Sequence, residues 1–204
     1  MKTRNDYKNA ALGSLKGRWA PVVIATLVYL AIAALYGACG RSEQSSLMTV
    51  ASLVNLFVFV PLQAGYNNAI REYCHGSGTQ PVSRMFNITI GNYKHILGGM
   101  LLMTLFVMLW SLLLIVPGVI MAIAYSMTPY ILVDEPQLSV MDALRKSEQM
   151  MRGRKMEFFL LELSFIGWFL LSCITFGVGL LWLEPYMTGT IAAYYEDLKK
   201  EFEG

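Results

Sequence analysis

The chain alternates long apolar blocks with short charged strips. A helix that crosses ~30 Å of hydrocarbon needs ~20 residues, and most of the blocks have about that length. We therefore predict membrane-spanning helices rather than the core helices of a soluble protein. The apolar blocks cover residues 19–40, 47–70, 96–133, 156–175 and 177–195.

One of these blocks, residues 96–133, is too long for a single crossing. As one helix it would extend ~57 Å at ~1.5 Å per residue, well beyond the thickness of the hydrocarbon. Pro117 and Gly118 supply the expected break, because proline cannot donate a backbone hydrogen bond and glycine tolerates a tight turn. The second half, about residues 119–133, contains Pro129 and is predicted to kink or tilt. The pattern thus predicts an all-α polytopic transmembrane bundle of about six spans in three hairpins.

The basic residues predict the orientation of this bundle. Lys and Arg gather on the cytoplasmic side of membrane proteins. With the N-terminus inside, the inner segments hold all but one of the 16 basic residues, the exception being Arg41. A five-span alternative would place a basic cluster outside, so we reject it. We predict a multi-pass protein with both termini in the cytoplasm.

Composition agrees with this pattern, since 55% of the 204 residues are hydrophobic and only 15% are charged. Soluble domains carry about 25% charged residues. We treat residues 1–204 as a single integral membrane domain. Its polar parts are a basic interfacial N-terminal segment, a cytoplasmic amphipathic helix and a cytoplasmic charged tail, at residues 1–18, 138–155 and 196–204.

Residues 138–155 are predicted to form an amphipathic helix at the membrane interface. Ser139 and Asp142 fit a variant of the capping box, and apolar and polar side chains then separate onto two faces of the helix. The polar face is expected to contact anionic lipid headgroups or to dock a protein partner. The basic residues expected to make these contacts are Arg145, Lys146, Arg152, Arg154 and Lys155.

A weak internal repeat relates the hairpins. A glycine among polar or basic residues precedes each odd-numbered span, at Gly17, Gly91 and Gly153. The second and sixth spans share the pattern P-x-x-x-G-x-x-x-A-x-x-E, centred on Gly65 and Gly189. This spacing places small residues on one helical face, where neighbouring backbones approach closely. Chance is the alternative, because membrane proteins are rich in such spacings.

Two carboxylates lie well inside the predicted spans, at membrane depth: Glu162 about six residues from the inner end of the fifth, and Glu184 about seven residues from the outer end of the sixth. An ionised carboxylate in hydrocarbon costs at least ~2.5–3.5 kcal/mol, so such groups face the bundle interior or water. No basic residue lies at a similar depth. We expect the two groups to be protonated, hydrated or hydrogen-bonded to side chains such as Asn55, Gln63 or the tyrosines. These residues form a hypothetical intramembrane polar site.

Three stretches resemble a known bacterial family: "VPGVIMAIAYSMTPYILVDEP", "DALRKSEQMMRGRKMEFFLLELSFIGWFLL" and "GLLWLEPYMTGTIAAYYEDL". They are similar to integral membrane proteins of domain-of-unknown-function family 975. The resemblance covers about residues 118–198, and the "LKGRW" opening of the first span more loosely. It implies an inner-membrane location and a multi-span helical fold. It implies no activity and no catalytic residue.

The sequence leaves three classes of function to consider. We expect a non-enzymatic membrane component that acts through lipid or protein contacts. The alternative is a channel or secondary transporter for a small solute that uses Glu184 and Glu162, in which prolines break helices as they do in transporters. An intramembrane enzyme is disfavoured, because the sequence has no nucleophile motif, metal constellation or glycine-rich phosphate loop. We expect no cofactor, no metal and no nucleic-acid partner; the oligomeric state stays open.

Overall fold

The computed structural model describes residues 3–39, 53–76, 80–175 and 177–203. The described residues form helices and connecting turns without any strand, as the sequence predicts. A π-helical turn, Asn55–Phe59, runs directly into α3. The helices are α1 (Arg4–Leu15), α2 (Trp19–Cys39), α3 (Val60–Cys74), α4 (Pro81–Gly91), α5 (Tyr93–Leu113), α6 (Ile115–Ala124), α7 (Thr128–Asp134), α8 (Val140–Met150), α9 (Lys155–Leu163), α10 (Ile166–Ile174) and α11 (Leu180–Glu203).

Several of these helices are long and apolar enough to cross a membrane. Three such segments are Tyr93–Leu112, Ile115–Asp134 and Lys155–Ile174. Helix α1 and the first part of α2 form a fourth candidate if the pair, bent by 102°, is taken as one span. The described residues thus give three or four candidate spans, fewer than the predicted six. The outer turn predicted for the first hairpin, with Arg41, and the beginning of the second predicted span lie outside the described residues.

Helices α2 and α3 form the first predicted hairpin and run antiparallel. At one end the Tyr73 hydroxyl donates to the carbonyl of Arg18 over 3.2 Å. Further along, the hydroxyls of Thr26 and Tyr66 are 2.8 Å apart, and both side chains are buried. The ring of Tyr29 stacks on that of Tyr66 at 4.7 Å. Early residues of α2 therefore meet late residues of α3.

The long apolar block does break, although slightly before the predicted position. Helix α5 ends at Leu113, and Leu114 is extended, with φ −162° and ψ 144°. Pro117 falls in the first turn of α6, where its missing N–H costs nothing because that donor would have no partner in the helix. Within the fourth predicted span, a short turn at residues 125–127 separates α6 from α7. Pro129 lies in the first turn of α7, close to this turn, where the sequence predicts a kink.

Two hairpin turns are closed by the same serine–glycine contact. A Cβ atom added to Gly118 would lie 2.8 Å from the Cα of Ser111, across the turn between α5 and α6. A Cβ added to Gly179 would lie 3.0 Å from the Cα of Ser172, across the turn between α10 and α11. The distance at Gly118 is shorter than real Cβ atoms show, and the distance at Gly179 lies at the tight limit of real contacts, so glycine favours the close approach of both pairs of helix ends.

The amphipathic helix predicted at residues 138–155 is present as α8, Val140–Met150, followed by a turn. Its N-cap is confirmed, because the Ser139 hydroxyl accepts from the backbone N–H of Asp142 over 3.1 Å. Leu144 and Ser147 are buried as expected, whereas Met141 is 38% exposed. The helix is shorter than predicted because a turn that includes Gly153, at φ 79°, separates it from α9.

Helix α1 packs along α11 rather than standing apart from the bundle. The Tyr7 hydroxyl donates to Asp197 over 2.9 Å, and its ring meets that of Tyr194 edge-on at 5.0 Å. A Cβ added to Gly189 would lie 3.5 Å from the Cβ of Ala11 and 3.2 Å from the Sγ of Cys74. Tyr7, Ala11 and Leu15 are all buried, so the N-terminal segment contributes to the core.

An unpredicted bend divides the fifth predicted span between α9 and α10. The Ser164 hydroxyl donates to the carbonyl of Leu161, and Ser164 and Phe165 leave the regular helix. The Lys8 ammonium of α1 donates to the carbonyl of Ser164 over 3.3 Å. The bend therefore supplies a backbone acceptor to α1.

The glycines of the internal repeat have two structural roles, of which the close helix contact was predicted. Gly17 and Gly153, which precede the first and fifth spans, both have positive φ, at 77° and 79°. Gly91 differs, because it ends α4 without that conformation. Gly65 permits a close helix contact, since a Cβ there would lie 2.6 Å from the carbonyl oxygen of Met85 in α4. The predicted close approach at Gly65 is confirmed, whereas the origin of the repeat by duplication stays a hypothesis.

We expect Gly65→Ala to lower the free energy of unfolding by about 1–3 kcal/mol, because α4 must move away from α3. Gly98→Ala is the matched control: its Cβ would meet only Val140 Cγ2 at 3.7 Å, an ordinary contact. Alanine there should be neutral or stabilising by up to ~1 kcal/mol. Thermal unfolding of both variants in one detergent checks this, and equal midpoints would contradict the close α3–α4 contact.

Candidate functional site

Helices α3, α7 and α11 meet in a polar cluster, which we call the charged end of the bundle and define by Arg71, Asp134, Tyr195, Glu196 and Lys199. Arg71 is only 7% exposed and donates through Nη2 to Asp134 Oδ1. The other oxygen of Asp134 accepts from the Tyr195 hydroxyl over 3.0 Å and from the Lys199 ammonium over 2.9 Å. One carboxylate thus joins three helices.

Two tyrosine rings lie beside the buried guanidinium of Arg71. Its Cζ lies 5.8 Å from the ring centre of Tyr130 and 5.3 Å from that of Tyr195, within the range of cation–π attraction. The two rings also stack on each other at 5.0 Å. Glu196 adds a second carboxylate 3.7 Å from Arg71 Nε. The hydrogen bond to Asp134 raises the pKa of Lys199, so both cations of the cluster keep their charge at neutral pH.

Beside this cluster, some buried polar atoms have no hydrogen-bond partner among the described residues. They are Arg71 Nη1, Asn68 Oδ1 and Thr128 Oγ1, with His95 Nε2 on a separate helix. Asn68 also ties α3 to α7, because its amide donates to the carbonyl of Pro129 over 2.9 Å. Buried atoms of this kind are ordinarily satisfied by ordered water. The contact between α3 and α7 therefore contains several buried polar groups.

Two of the five predicted lipid-contact residues are instead used within the chain. Lys146 lies 2.5 Å from Glu135 and 3.8 Å from Glu203. Arg154 forms ion pairs with Glu157, at 3.1 Å, and with Glu201. These pairs hold the last turns of α11 against α8 and the turn that follows it. Residues 196–203 are accordingly a continuation of α11, not a separate tail.

The remaining members of the predicted basic set face outward to different degrees. The side chain of Arg145 is 68% exposed, and its one ion-pair partner among the described residues is Asp142, at 3.6 Å on the same helix. Arg152 is exposed, and Lys155 is partly buried at the beginning of α9. These residues are free to meet lipid headgroups or a protein surface.

The four residues of the hypothetical intramembrane polar site lie on four different elements. Glu184 is half-buried on α11, whereas Glu162 is exposed on α9. Asn55 is half-buried in the π-helical turn, and Gln63 is exposed on α3. Within the described part of the chain, no hydrogen bond joins any two of these four side chains.

Sequence reasoning missed a cavity of about 370 Å³ whose wall includes exposed residues of α1, α10 and α11. We call it the lateral cavity; it lies between the junction of α1 with α2 and the hairpin of α10 with α11. Tryptophans dominate its wall, with Ser172, Thr175 and Gly179 at one end. Its lining residues are Leu12, Trp19, Trp168, Leu171, Ser172, Thr175, Gly179, Trp182, Leu183 and Tyr186.

A smaller polar recess lies close to the lateral cavity. It is formed by the first two turns of α1 together with the bend between α9 and α10, and has a volume of about 330 Å³. We call it the basic recess because two of its residues, Arg4 and Lys8, are cationic. Its lining residues are Thr3, Arg4, Asn5, Lys8 and Ser164.

A comparison with known proteins identifies the family of this chain. The model of the family described as "Protein of unknown function (DUF975)" matches residues 82–201, more than half of the chain. The chain belongs to DUF975. The resemblance inferred from the three quoted stretches is thereby confirmed. No curated protein and no solved structure matches the chain. The DUF975 match includes Asp134 and Lys199 of the charged end but begins after Arg71.

The buried ion pair at the charged end predicts how two variants of this DUF975 protein change its free energy of unfolding. Asp134→Leu leaves a buried guanidinium without its main partner and should cost about 3–5 kcal/mol. Arg71→Met combined with Asp134→Leu removes both charges and should recover most of that loss, because a buried pair is often replaceable by apolar groups. Unfolding in detergent micelles measures both variants.

Arg145→Gln is the control for this test, because it breaks an exposed pair worth about 0–1 kcal/mol. If Asp134→Leu were no more harmful than Arg145→Gln, the three helices would not depend on the buried pair.

Proposed function

We propose that this chain is a bacterial inner-membrane protein that crosses the bilayer six times and acts, without catalysis, through contacts with membrane lipids. The lateral cavity is the observation that carries the proposal. It is a lined space rather than a flat apolar surface, and exposed apolar side chains such as Trp168, Leu171 and Trp182 form part of its wall. In the proposed topology hydrocarbon would contact these side chains. Its tryptophans are the residue type that concentrates at membrane–water interfaces.

The meeting of α3, α7 and α11 supports the six-span topology. In that topology these helices belong to the second, fourth and sixth spans, which all run from outside to inside. Their C-terminal ends would then lie on one side of the membrane, and in the structure they share the charged end. Arg71, Lys199, Lys146 and Arg154 also lie on this side, as expected for a cytoplasmic face.

The use of the polar residues supports a non-enzymatic role. At the charged end, the carboxylate of Asp134 is engaged by Arg71, Tyr195 and Lys199 in contacts that join helices. The Lys146–Glu135 and Arg154–Glu201 pairs likewise join segments of the chain. These groups are occupied in holding the bundle together. The outward-facing apolar surface, the exposed basic residues and the lateral cavity are the parts that would meet other molecules.

A channel or transporter for a small solute is the second candidate, and Glu184 favours it. This half-buried carboxylate has no hydrogen bond to another described residue, and Tyr29 and Tyr66 lie close enough to interact with it electrostatically. The fourth and fifth predicted spans are also interrupted, as transporter helices often are. Ion-coupled flux in proteoliposomes that disappears in Glu184→Gln would favour this candidate over the lipid-contact function.

The topology can be read with reporter fusions at successive positions. We expect fusions at Gly76, at Pro136 and after Gly204 to report the cytoplasm, because each follows an even-numbered span. Fusions at Ser45 and Gly118 should report the outside. A cytoplasmic signal at Ser45 or Gly118 would refute the six-span topology.

Native mass spectrometry of protein released gently from its own membrane tests the lipid-contact function. We expect lipid adducts at a fixed ratio to protein. Thr175→Trp should reduce them severalfold, because the indole would fill one end of the lateral cavity. Ile174→Trp is the matched control, since residue 174 is 74% exposed and does not line the cavity. Protein that carries no lipid, or equal adducts in both variants, would contradict the proposed role of the cavity.

A further inference from the structure

The lateral cavity and the basic recess lie one helical turn apart along α1 and along the wall that begins at Ser164, and we propose that together they bind a single anionic glycerophospholipid. The lipid phosphate would lie at Arg4 and Lys8, and an acyl chain would occupy the lateral cavity. This inference rests on the proposed lipid-contact function and names the lipid class and the headgroup residues.

The basic recess holds two cations without a matching anion. Lys8 is fixed in position by the carbonyl of Ser164, at 3.3 Å, and by the ring of Phe165, whose centre lies 4.2 Å from its ammonium. Within the described ranges neither Arg4 nor Lys8 forms an ion pair with a carboxylate. Lys146, Arg154 and Lys199 differ in this respect, since each has an acidic partner.

The electrostatics of the recess favour a bound anion. Burial and the neighbouring charge of Arg4 lower the pKa of Lys8, so the two cations destabilise each other. A phosphate between them would remove that repulsion and would accept charge-assisted hydrogen bonds from both side chains. Thr3 and Asn5 add polar groups to the same wall.

The lateral cavity and the basic recess are adjacent on two walls, one formed by α1 and the other by Ser164 and α10. Leu12, which lines the lateral cavity, is one turn beyond Lys8 on α1, and Trp168 is one turn beyond Ser164 on the other wall. From Ser164 to Thr175 the wall extends ~16 Å at ~1.5 Å per residue. A long apolar space that begins at a pair of cations matches a molecule with an anionic head and an extended hydrocarbon chain.

A pair of cations next to a long apolar space fits an anionic lipid better than it fits other possible occupants. Inorganic phosphate would fill the basic recess and leave the lateral cavity empty. A zwitterionic lipid would fill the cavity but would bring its own cation to Arg4 and Lys8. A second copy of the chain would need an acidic segment beside an apolar one, at the same spacing as the recess and the cavity.

The test is a binding titration on purified, delipidated full-length protein in a neutral detergent. Brominated phosphatidylglycerol and brominated phosphatidylcholine are the two probes, because bromine on the acyl chain quenches tryptophans that it contacts. We expect phosphatidylglycerol to bind more tightly than phosphatidylcholine. Arg4→Gln combined with Lys8→Gln should weaken phosphatidylglycerol binding about 10- to 30-fold, the effect of two basic residues near the headgroup, and leave phosphatidylcholine binding nearly unchanged.

Two further variants control for charge and folding. Lys94→Gln with Lys200→Gln removes the same total charge from exposed positions that line neither space, and should keep the preference for phosphatidylglycerol. Arg4→Lys with Lys8→Arg retains both charges and should bind like the original protein, which shows that loss in the glutamine variant is not loss of fold.

Several results would overturn the inference. Equal affinity for the two lipids, or unchanged phosphatidylglycerol binding in the glutamine variant, would show that Arg4 and Lys8 do not bind the headgroup. The lipid-contact function would not be refuted by either result. Full competition by inorganic phosphate together with no quenching by either lipid would assign the recess to phosphate alone. Binding that appears only when the protein dimerises would assign the surface to a second copy. Absence of any bound lipid would refute the proposed function as well.

Discussion

The buried guanidinium of Arg71 is the constraint on which the arrangement of the bundle depends. A cation in an apolar interior is tolerated only when it is paired and hydrogen-bonded. Asp134 supplies the pairing, and Tyr130 and Tyr195 supply the ring faces. Because these partners belong to α7 and α11, satisfying one side chain of α3 fixes the relative positions of three helices. Lys199 then adds a second cation to the same carboxylate.

The rest of the bundle follows from helices held in this way. With α3 and α11 joined at the charged end, Gly189 comes close to Cys74, and α1 can pack along the same face of α11. Helix α1 in turn places Lys8 against the bend between α9 and α10, next to the lateral cavity. The proposed lipid site is thus a consequence of how the charged end positions its neighbours, although none of its residues belongs to that cluster.

Local signals were enough to predict the helical class, the break near Pro117, the interruption at Pro129 and the cap of α8, because each depends on residues close in sequence. The buried pair could not be predicted in this way, since Arg71 and Asp134 are 63 positions apart and each looks like an ordinary charge at the end of an apolar block. The bend at Ser164 was missed for a similar reason: no proline marks it, and its carbonyl partner lies on α1. The lateral cavity likewise arises only from the packing of distant helices.

The most direct test of this arrangement is a disulfide between α3 and α11. In a chain with Cys39→Ser and Cys173→Ser, the variant Gly189→Cys places its Cβ about 3.2 Å from the Sγ of Cys74, close to the reach of a disulfide. If α3 and α11 are held together at the charged end, mild oxidation in native membranes should join residues 74 and 189 within one chain, as peptide mass spectrometry would show. Two free thiols, or a bridge between separate chains only, would contradict the convergence of these helices.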